Sequence, residues 1–456
     1  MLRSSLFARR TSKICFALVA TSVTAAALAD GPPQRIIVKY RANAEASRSF
    51  DTSRALMADA SARLGISMSE VRRMSSGAQV MRISNPLVPA QMKQLIADMA
   101  TDPNVEYVEE DRLMKPMATP NDSFFNSQWH YFEATGGLRL PATWDYTSGA
   151  NVRVAVIDTG ARPHTDLVAN LVGGADFISD PFVSRDGDGR DGSALDPGDW
   201  TTGDDCGRVA NSSWHGTHVA GTVAATTNNG IGVSGVAYNS RVVPIRVLGR
   251  CGGYTSDIAD AIAWSSGASV PGAPANPNPA RVANLSLGGT GACGATTQSA
   301  INAARSRGTV VVVAAGNDNV DARNTSPANC SGVITVAATN RSGGKAYYSN
   351  FGRSVDIAAP GGDVRANSAN GVLSTWNTGT TTPGSDTYAY FQGTSQATPH
   401  VAGTVALMLS LNSNLTPDQV EAILKSTARP FPSTCNQCGA GIVDAFAASE
   451  AAYNAR

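Results

Sequence analysis

A short apolar run limits the folds open to this chain more than any other feature of its sequence. Residues 152–157 read Val-Arg-Val-Ala-Val-Ile, and Asp158 follows them directly. Continuous apolar runs rich in β-branched residues are typical of strands buried on both faces of a parallel sheet. The run therefore predicts an α/β protein with a doubly wound parallel sheet. Asp158 is expected at the carboxyl end of its strand, where open α/β sheets place their chemistry.

Two further segments carry side chains that could act with Asp158. His215 precedes small and apolar residues that predict the first turn of a buried helix. His218 follows three residues later and competes for the same role, but it would lie one turn deeper, as a packed histidine. Ser395 lies in the octapeptide 393–400, which leads into an apolar helical stretch. A hydroxyl at a helix N-terminus is placed where backbone N–H groups and the helix dipole favour developing negative charge.

A serine nucleophile needs a neutral imidazole to take its proton and a carboxylate to orient that imidazole. The order Asp, His, Ser along the chain is the order of subtilisin. The segments 158–160, 215–222 and 393–400 closely resemble the three signatures of the subtilase family. The resemblance covers the chain from about Pro120 onward, and the stretch 319–328 is similar to the proteinase K branch. It implies a serine endopeptidase with Ser395 as nucleophile, His215 as base and Asp158 as the orienting carboxylate.

The resemblance also assigns residues that would bind the substrate and the oxyanion. The segment 313–317 is similar to the family's oxyanion segment, so Asn317 is expected to stabilise the oxyanion with the Ser395 N–H, although an asparagine after a strand is more often a turn residue. The substrate backbone is expected to add as a strand between 286–288 and 252–254. Small apolar pocket walls predict broad specificity with a preference for large apolar residues. The expected substrate-binding residues are Ser286, Leu287, Gly288, Gly253, Tyr254, Ala315 and Gly316.

Two other functions fit parts of this pattern. A serine esterase of the α/β-hydrolase type would carry G-x-S-x-G around its nucleophile, and the segment 393–397 does not match that motif. A degenerate subtilase, kept as an inhibitor or adhesin, would lack a catalytic residue, and all four expected ones are present. The chain has 36 Lys and Arg and 36 Asp and Glu, so it carries no net positive charge that would attract nucleic acid. We expect a monomer that acts on protein and peptide substrates.

The N-terminal part predicts export of a precursor. Basic residues precede the apolar stretch 14–28, and Ala27-Leu28-Ala29 fits a signal-peptide cleavage site, so residues 1–29 are expected to be removed and the protein secreted, with no membrane contact afterwards. Residues 30–118 predict strand 35–40, helix 53–64, two strands within 71–84, helix 89–99 and strand 105–111, the βαββαβ order of a small ferredoxin-like α+β fold. This unit resembles the subtilase inhibitor propeptide, which would inhibit the peptidase domain, 119–456, until cleavage within 114–121. A plain accessory domain is the alternative.

Cysteine use agrees with export. Cys15 lies in the predicted signal peptide, and the other six cysteines predict disulfide bonds. Cys435 and Cys438 have the spacing of a redox C-x-x-C motif but lack its strand-to-helix context, so a short bridge is expected. Cys293 and Cys330 each follow an active-site strand, and we expect them to pair, which leaves Cys206 with Cys251.

Calcium is the expected cofactor. The segments 120–125 and 226–233 resemble the strong calcium site of thermitase-like subtilases, and oxygen ligands of mixed origin suit this ion. The resemblance implies side-chain oxygens of Asp122, Asp166 and Asn229 and carbonyls of Thr226, Ile231 and Val233. Asp356 with carbonyls of Ser331 and Val333 is expected to form a weaker second site. The acidic loop 185–192 fits a calcium loop and a solvated turn equally well.

One residue departs from the family pattern. Most subtilases carry methionine directly after the nucleophile, where this chain has Gln396. A methionine there would be exposed beside the oxyanion hole, and its sulfoxide would add a polar oxygen to the site. We therefore expect dilute peroxide to spare this protein.

Overall fold

The computed structural model describes residues 33–44, 58, 61–112 and 119–456. The chain divides into two compact units, one ending at Arg112 and the other taking the rest. The expected signal peptide, most of the expected helix 53–64 and most of the expected processing segment 114–121 lie outside the described residues.

The first unit is a four-stranded antiparallel sheet with the order β2-β3-β1-β4. Its strands are β1 (Arg35–Tyr40), β2 (Met68–Arg73), β3 (Gln79–Ile83) and β4 (Val105–Glu110), and helix α1 (Pro89–Ala100) precedes β4 in the chain. Alternate residues of β1, namely Ile36, Val38 and Tyr40, are buried, because successive side chains of a strand point to opposite faces. The α+β organisation expected from the sequence is confirmed, although β2 begins at Met68, earlier than expected.

The second unit contains the remaining strands and helices. In chain order its strands are β5 (Arg153–Asp158), β6 (Ala175–Asp176), β7 (Arg241–Arg246), β8 (Val282–Leu285), β9 (Gly289–Thr290), β10 (Val310–Ala314), β11 (Thr325–Ser326), β12 (Ile334–Thr339), β13 (Ile357–Pro360), β14 (Val372–Asn377) and β15 (Asp386–Phe391). Its α-helices are α2 (Trp129–Phe132), α3 (Pro181–Ser184), α4 (Gly203–Cys206), α5 (His215–Ala224), α6 (Thr255–Ser265), α7 (Ala295–Ser306), α8 (Thr394–Leu411), α9 (Pro417–Thr427) and α10 (Ala445–Asn454).

A parallel sheet of seven strands organises this unit. The strand order is β13-β12-β10-β8-β5-β7-β6, and every pairing within it is parallel. Val154 and Val156 of β5 belong to a core that also contains α5 and α8, while Ala155 and Ile157 belong to a core that contains α6 and α7. Helices therefore cover both faces, and the predicted doubly wound α/β fold is confirmed. The chemistry of β5, β8 and β10 is expected at their common carboxyl edge.

Three disulfide bonds close loops in this unit. They join Cys206 to Cys251, Cys293 to Cys330 and Cys435 to Cys438. These are the pairs expected from the sequence. Within the described residues, no helix combines the length and hydropathy that a membrane-spanning segment requires.

Candidate active site

Strand β5 and helix α5 bring an aspartate and a histidine together. Asp158 is the last residue of β5 and is fully buried, and His215 is the first residue of α5. The Nδ1 atom of His215 lies 2.8 Å from Oδ1 and 2.9 Å from Oδ2 of Asp158. A proton on Nδ1 that is donated to this carboxylate leaves Nε2 as the acceptor, which is the tautomer a general base requires.

The charges around His215 favour its protonated form. Burial lowers the pKa of His215, but the carboxylates of Asp158, Asp199 and Asp196 together outweigh burial, so the pKa lies above the usual 6.5. A base with a raised pKa accepts a proton more readily, and the resulting imidazolium is stabilised by the carboxylate that it contacts.

Hydrogen bonds of Thr159 connect the end of β5 to α5 and to Asp196. No sequence pattern identifies Asp196 as part of the site. The Thr159 hydroxyl donates to Oδ2 of Asp196 over 2.7 Å and accepts a hydrogen bond from Gly216 N–H over 2.9 Å. The Thr159 N–H donates to Oδ1 of Asp158 over 2.7 Å, which fixes the carboxylate plane. A Cβ on Gly216 would lie 2.1 Å from the carbonyl oxygen of Gly160, so only glycine allows the helix to approach the strand this closely.

Asp199 supports the turn that leads into α5. Its carboxylate accepts hydrogen bonds from Ser213 N–H at 2.6 Å and from the Ser213 hydroxyl at 2.8 Å. The Ser213 oxygen in turn accepts one from His215 N–H at 3.2 Å. The segment 196–199 thus supports both residues of the Asp158–His215 pair. Its Asp-Pro-Gly-Asp sequence indicates a turn but does not reveal these partners.

Ser395 lies in the first turn of α8, beside the expected substrate strand. Its hydroxyl donates to the carbonyl oxygen of Ser286 over 3.1 Å, and the Ser286 hydroxyl donates to the carbonyl oxygen of Ser395 over 2.9 Å. Among the described residues, Ser395 makes no hydrogen bond to His215. Catalytic hydrogen bonds are often long or misaligned in free enzymes and tighten when substrate binds.

Asn317 is held by the residue that precedes Ser395. Its Oδ1 atom accepts hydrogen bonds from Thr394 N–H at 2.8 Å and from the Thr394 hydroxyl at 2.9 Å. Because both partners are donors, the amide presents its oxygen to them, which leaves its NH2 group available for a substrate. Asn317 is exposed, as a group that meets substrate must be.

The expected substrate-binding residues follow neighbouring strands of the sheet. Ser286, Leu287 and Gly288 come after β8, and Ala315 and Gly316 come after β10, which pairs with β8. Both groups therefore lie at the carboxyl edge, where Asp158 also lies.

The other expected segment precedes α6. Tyr254 is 53% exposed, and its hydroxyl lies 3.4 Å from Oδ2 of Asp180. A Cβ on Gly253 would lie 2.0 Å from the carbonyl oxygen of Val247, so this backbone passes directly against the loop after β7.

The residues expected at the strong calcium site converge on one loop. Asp166 accepts hydrogen bonds from Nδ2 of Asn229 at 2.7 Å and from Val233 N–H at 2.8 Å, and Asp122 accepts one from Asn229 N–H at 3.2 Å. The Thr226 N–H donates to the Asp166 carbonyl at 2.7 Å, while Ile231 N–H donates to Oδ1 of Asn229 at 3.0 Å.

These two carboxylates are buried, and no ion pair to Lys, Arg or His is present for either in the described part of the chain. Burial raises the pKa of Asp166 to about 6. Buried carboxylates without a cation are costly, so the donor set of carboxylates, amide and carbonyl oxygens fits a hard cation. The described residues contain no group of three or more His, Cys, Asp or Glu side chains that could hold a metal ion, so amide and carbonyl oxygens would complete the site.

Asp356 and a carboxylate of the acidic loop each pair with a basic side chain. Oδ1 of Asp356 pairs with Nζ of Lys425 at 3.0 Å, and Oδ2 accepts a hydrogen bond from Thr335 N–H at 2.9 Å. A lysine already balances this carboxylate, so Asp356 is not favoured as a metal ligand. In the acidic loop, Asp186 pairs with the buried guanidinium of Arg246. The loop is therefore not a purely solvated turn, and its alternative as a calcium loop stays a prediction.

The second histidine of α5 is packed, as the sequence indicated. His218 is fully buried, its Nε2 lies 3.0 Å from the carbonyl oxygen of Ala389, and its ring stacks on Phe391. Burial lowers the pKa of His218 to about 3.

The residue that follows Ser395 is buried as well. Gln396 is only 2% exposed, which corrects the expectation that its position is exposed.

Comparison with known proteins gives consistent matches. Residues 149–441 match a family model described as the Subtilase family. The chain is 51% identical to an extracellular protease of Xanthomonas campestris pv. campestris, over 92% of this chain and 73% of the relative. It is 33% identical to thermitase of Thermoactinomyces vulgaris, over 72% of this chain and 99% of the relative. A solved structure of a protease from Pseudoalteromonas arctica is 61% identical, with a TM-score of 0.73, and the match covers 74% of this chain and 100% of that one.

Proposed function

Since the chain belongs to the subtilase family and is a serine endopeptidase, we propose that it works outside the cell with Asp158, His215 and Ser395 as its catalytic triad. The observation that carries this proposal is the contact of His215 Nδ1 with both oxygens of Asp158, at 2.8 and 2.9 Å. The names of the relatives, which include an extracellular protease and an extracellular basic protease, support action outside the cell.

The chemistry follows from the protonation of the histidine. Nε2 of His215 takes the proton of Ser395 as Oγ attacks the peptide carbonyl carbon, and it later gives a proton to the departing amine. Asp158 holds the imidazole and stabilises its charged form. Nδ2 of Asn317 and the Ser395 N–H donate to the oxyanion of the tetrahedral intermediate. Water then hydrolyses the acyl-enzyme by the same proton transfers in the second half of the reaction.

Substrate binding would use main-chain pairing more than side-chain selection. An extended peptide adds between 286–288 and 252–254, so its backbone supplies much of the affinity. The residue before the scissile bond would meet the small walls formed by Leu287, Gly288, Ala315 and Gly316, and it contacts no fixed charge there. This supports broad specificity with a preference for large apolar residues.

The chain would be made as a precursor. Residues 1–29 would act as signal peptide, 30–118 as inhibitory propeptide and 119–456 as peptidase domain. The compact α+β unit that ends at Arg112 supports this division, because it has its own buried core and its own sheet. We expect the enzyme itself to cleave the segment between the two units.

Calcium would stabilise the peptidase rather than take part in the chemistry. Asp122, Asp166 and Asn229 would hold it, together with carbonyls of Thr226, Ile231 and Val233. The ion would supply the positive charge that two buried carboxylates lack. It would also tie the loop 226–233 to the segment around Asp122.

Labelling of the nucleophile tests the central proposal. The secreted protein is treated with a fluorophosphonate, digested and analysed by mass spectrometry, with Ser395→Ala as the matched control. We expect the adduct on Ser395, loss of hydrolysis of a peptide amide in proportion to labelling, and no adduct in the control. An adduct on another serine, or full activity after stoichiometric labelling of Ser395, would contradict the proposed triad.

A further inference from the structure

A buried asparagine outside the proposed triad uses the whole of its side-chain amide. Oδ1 of Asn350 accepts hydrogen bonds from the N–H groups of Asp318 and Val320, each at 3.0 Å. Its Nδ2 donates to the carbonyl oxygen of Ala315 and to the hydroxyl of Thr325, each also at 3.0 Å. Asn350 is fully buried, so water does not compete for these hydrogen bonds.

The partners of Asn350 lie on both sides of Asn317. Ala315 precedes Asn317, and Asp318 and Val320 follow it. The backbone N–H of Asn350 adds a bond of 2.9 Å to the carbonyl oxygen of Gly316. The carbonyl oxygen of Asn350 accepts a further bond of 3.0 Å from the Ser349 hydroxyl. One residue therefore makes four of its six hydrogen bonds to the six residues 315–320, which belong to no helix or strand. The shape of this exposed segment depends on Asn350.

The backbone of Gly316 lies directly against the Asn350 amide. Its φ of 105° lies in the left-handed region that favours glycine, and a Cβ there would lie 2.3 Å from Nδ2 of Asn350. Any shift of the Asn350 side chain is therefore transmitted to the residue next to Asn317.

We propose that Asn350 is a positioning residue for the oxyanion hole, which holds the segment 315–320 so that the Asn317 amide faces the developing negative charge. Asn350 touches neither the substrate nor the reacting atoms and acts through Asn317, so this inference rests on the proposed role of Asn317. Thr394 orients the Asn317 side chain from the other side, through its N–H and hydroxyl groups. The oxyanion donor is thus supported by both the core and the nucleophile helix.

This role predicts a characteristic kinetic effect. A donor aimed at the oxyanion acts mainly in the transition state, so its misplacement lowers kcat more than it raises KM. Removal of such a donor costs about 10²–10³ in turnover. We expect Asn350→Ala to lose at least about tenfold in kcat, less than removal of the donor itself, with KM changed by less than about twofold.

A double-mutant cycle distinguishes positioning from a general loss of stability. The kcat for a peptide p-nitroanilide is measured for the wild type, Asn317→Ala, Asn350→Ala and the double variant, well below the melting temperature of each. If Asn350 acts through Asn317, Asn350→Ala costs little further kcat in the Asn317→Ala background, because interacting residues are not additive. An equal fold-loss in both backgrounds would overturn the proposal, as would unchanged kcat in Asn350→Ala.

Two more variants keep the test decisive. Asn350→Asp retains the acceptor for Asp318 and Val320 but loses the donor to Ala315, and it replaces Asn350→Ala in the cycle if that protein fails to fold. Asn170→Ala is the matched control, because Asn170 is a buried asparagine that bonds the carbonyl oxygens of Ala224 and Tyr238. We expect this control to lower the melting temperature without changing kcat. If Asn317→Ala itself keeps full kcat, the proposed oxyanion role fails, and that result is separate from a failure of Asn350.

Discussion

The hydroxyl of Thr159 donates a hydrogen bond of 2.7 Å to the carboxylate of Asp196. Thr159 follows Asp158 directly in the chain, and its other partner, Gly216, follows His215. The link therefore lies one residue away from each member of the proposed pair. Burial raises the pKa of Asp196 to about 7, so its protonation state changes near neutral pH.

Asp196 should make stability fall as the pH rises. An unfolded aspartate has a pKa of about 3.9, so between about pH 4 and 7 the folded protein holds a proton that the unfolded chain has released. The free energy of unfolding then decreases with pH by at most about 1.4 kcal/mol per pH unit. Asp196→Asn lacks this titration, so the variant should gain stability relative to wild type from pH 4 to 7. Denaturant unfolding of inhibitor-blocked enzymes measures the difference, and a constant value would contradict the assignment.

Asp199 should affect the pH profile of the reaction. His215 must be neutral to act as a base, so kcat/KM is expected to fall as the pH drops through its raised pKa. The carboxylate of Asp199 helps to raise that pKa, and Asp199→Asn should therefore move the acid limb of kcat/KM to lower pH. Asp356→Asn is the control, because Asp356 pairs with Lys425 away from His215. Equal shifts in both variants would show an effect of net charge alone.

Chelation should lower the thermal stability of the enzyme. An ion that binds only the folded state stabilises it by about 2.7 kcal/mol when present at a hundred times its dissociation constant. We expect faster inactivation in chelator than in excess calcium, with initial activity at low temperature unchanged. Asp122→Ala should inactivate equally fast in both conditions, whereas Asp356→Ala should keep the calcium effect. Equal half-lives for the wild type with and without calcium would argue against the site.

Loss of the nucleophile should block maturation. If the enzyme cleaves its own propeptide, Ser395→Ala should accumulate as the unprocessed precursor or as a complex with the bound propeptide. Loss of the nucleophile in subtilisin costs about 10⁶ in turnover. Gel electrophoresis and N-terminal sequencing of the purified variant, free of other proteases, measure the outcome. A variant that is fully mature in such a preparation would show that another protease performs the cleavage.

Gln396→Met should make the enzyme more stable to unfolding but sensitive to oxidation. Nε2 of Gln396 is buried without a hydrogen-bond partner among the described groups, and such a donor costs about 1–3 kcal/mol. Methionine has no such group, so we expect a higher free energy of unfolding together with loss of activity in dilute peroxide. Denaturant unfolding and residual activity after peroxide measure the two effects. Equal loss of activity in the wild type would point to a methionine already present, such as the buried Met408 of the same helix.

The sequence predicted what its local patterns determine. The apolar run before Asp158 predicted a buried parallel strand, and the structure contains it as β5. Small residues after His215 predicted a helix that packs closely, and α5 has nine buried residues of ten, so the prediction holds. Both features depend on neighbouring residues, and the position of a side chain at the end of a strand or the start of a helix follows from them.

Contacts between distant loops could not be predicted in this way. Asn350 lies in the sequence Tyr-Ser-Asn-Phe-Gly, which indicates only a turn, and most of its partners are backbone groups of the segment 315–320. Asp356 and Arg246 meet their charged partners across separations of 69 and 60 residues. Whether a carboxylate is paired with a lysine, an arginine or a calcium ion depends on how these loops run in the fold. The spacing of residues in the sequence does not predict how the loops run.

Helix α8 carries Ser395 at its first turn, and almost all of its remaining length lies in the main core. Its backbone amides can exchange with solvent only when that core opens, so the nucleophile cannot be lost by fraying of a peripheral element. Displacement of Ser395 through loss of this helix therefore requires the main core to open. Once unfolded, a molecule is an extended polypeptide in the presence of intact copies that cleave extended polypeptides. When refolding is faster than cleavage, the decay of activity in solution is thus a reaction between two molecules, and the fraction lost per hour grows with enzyme concentration.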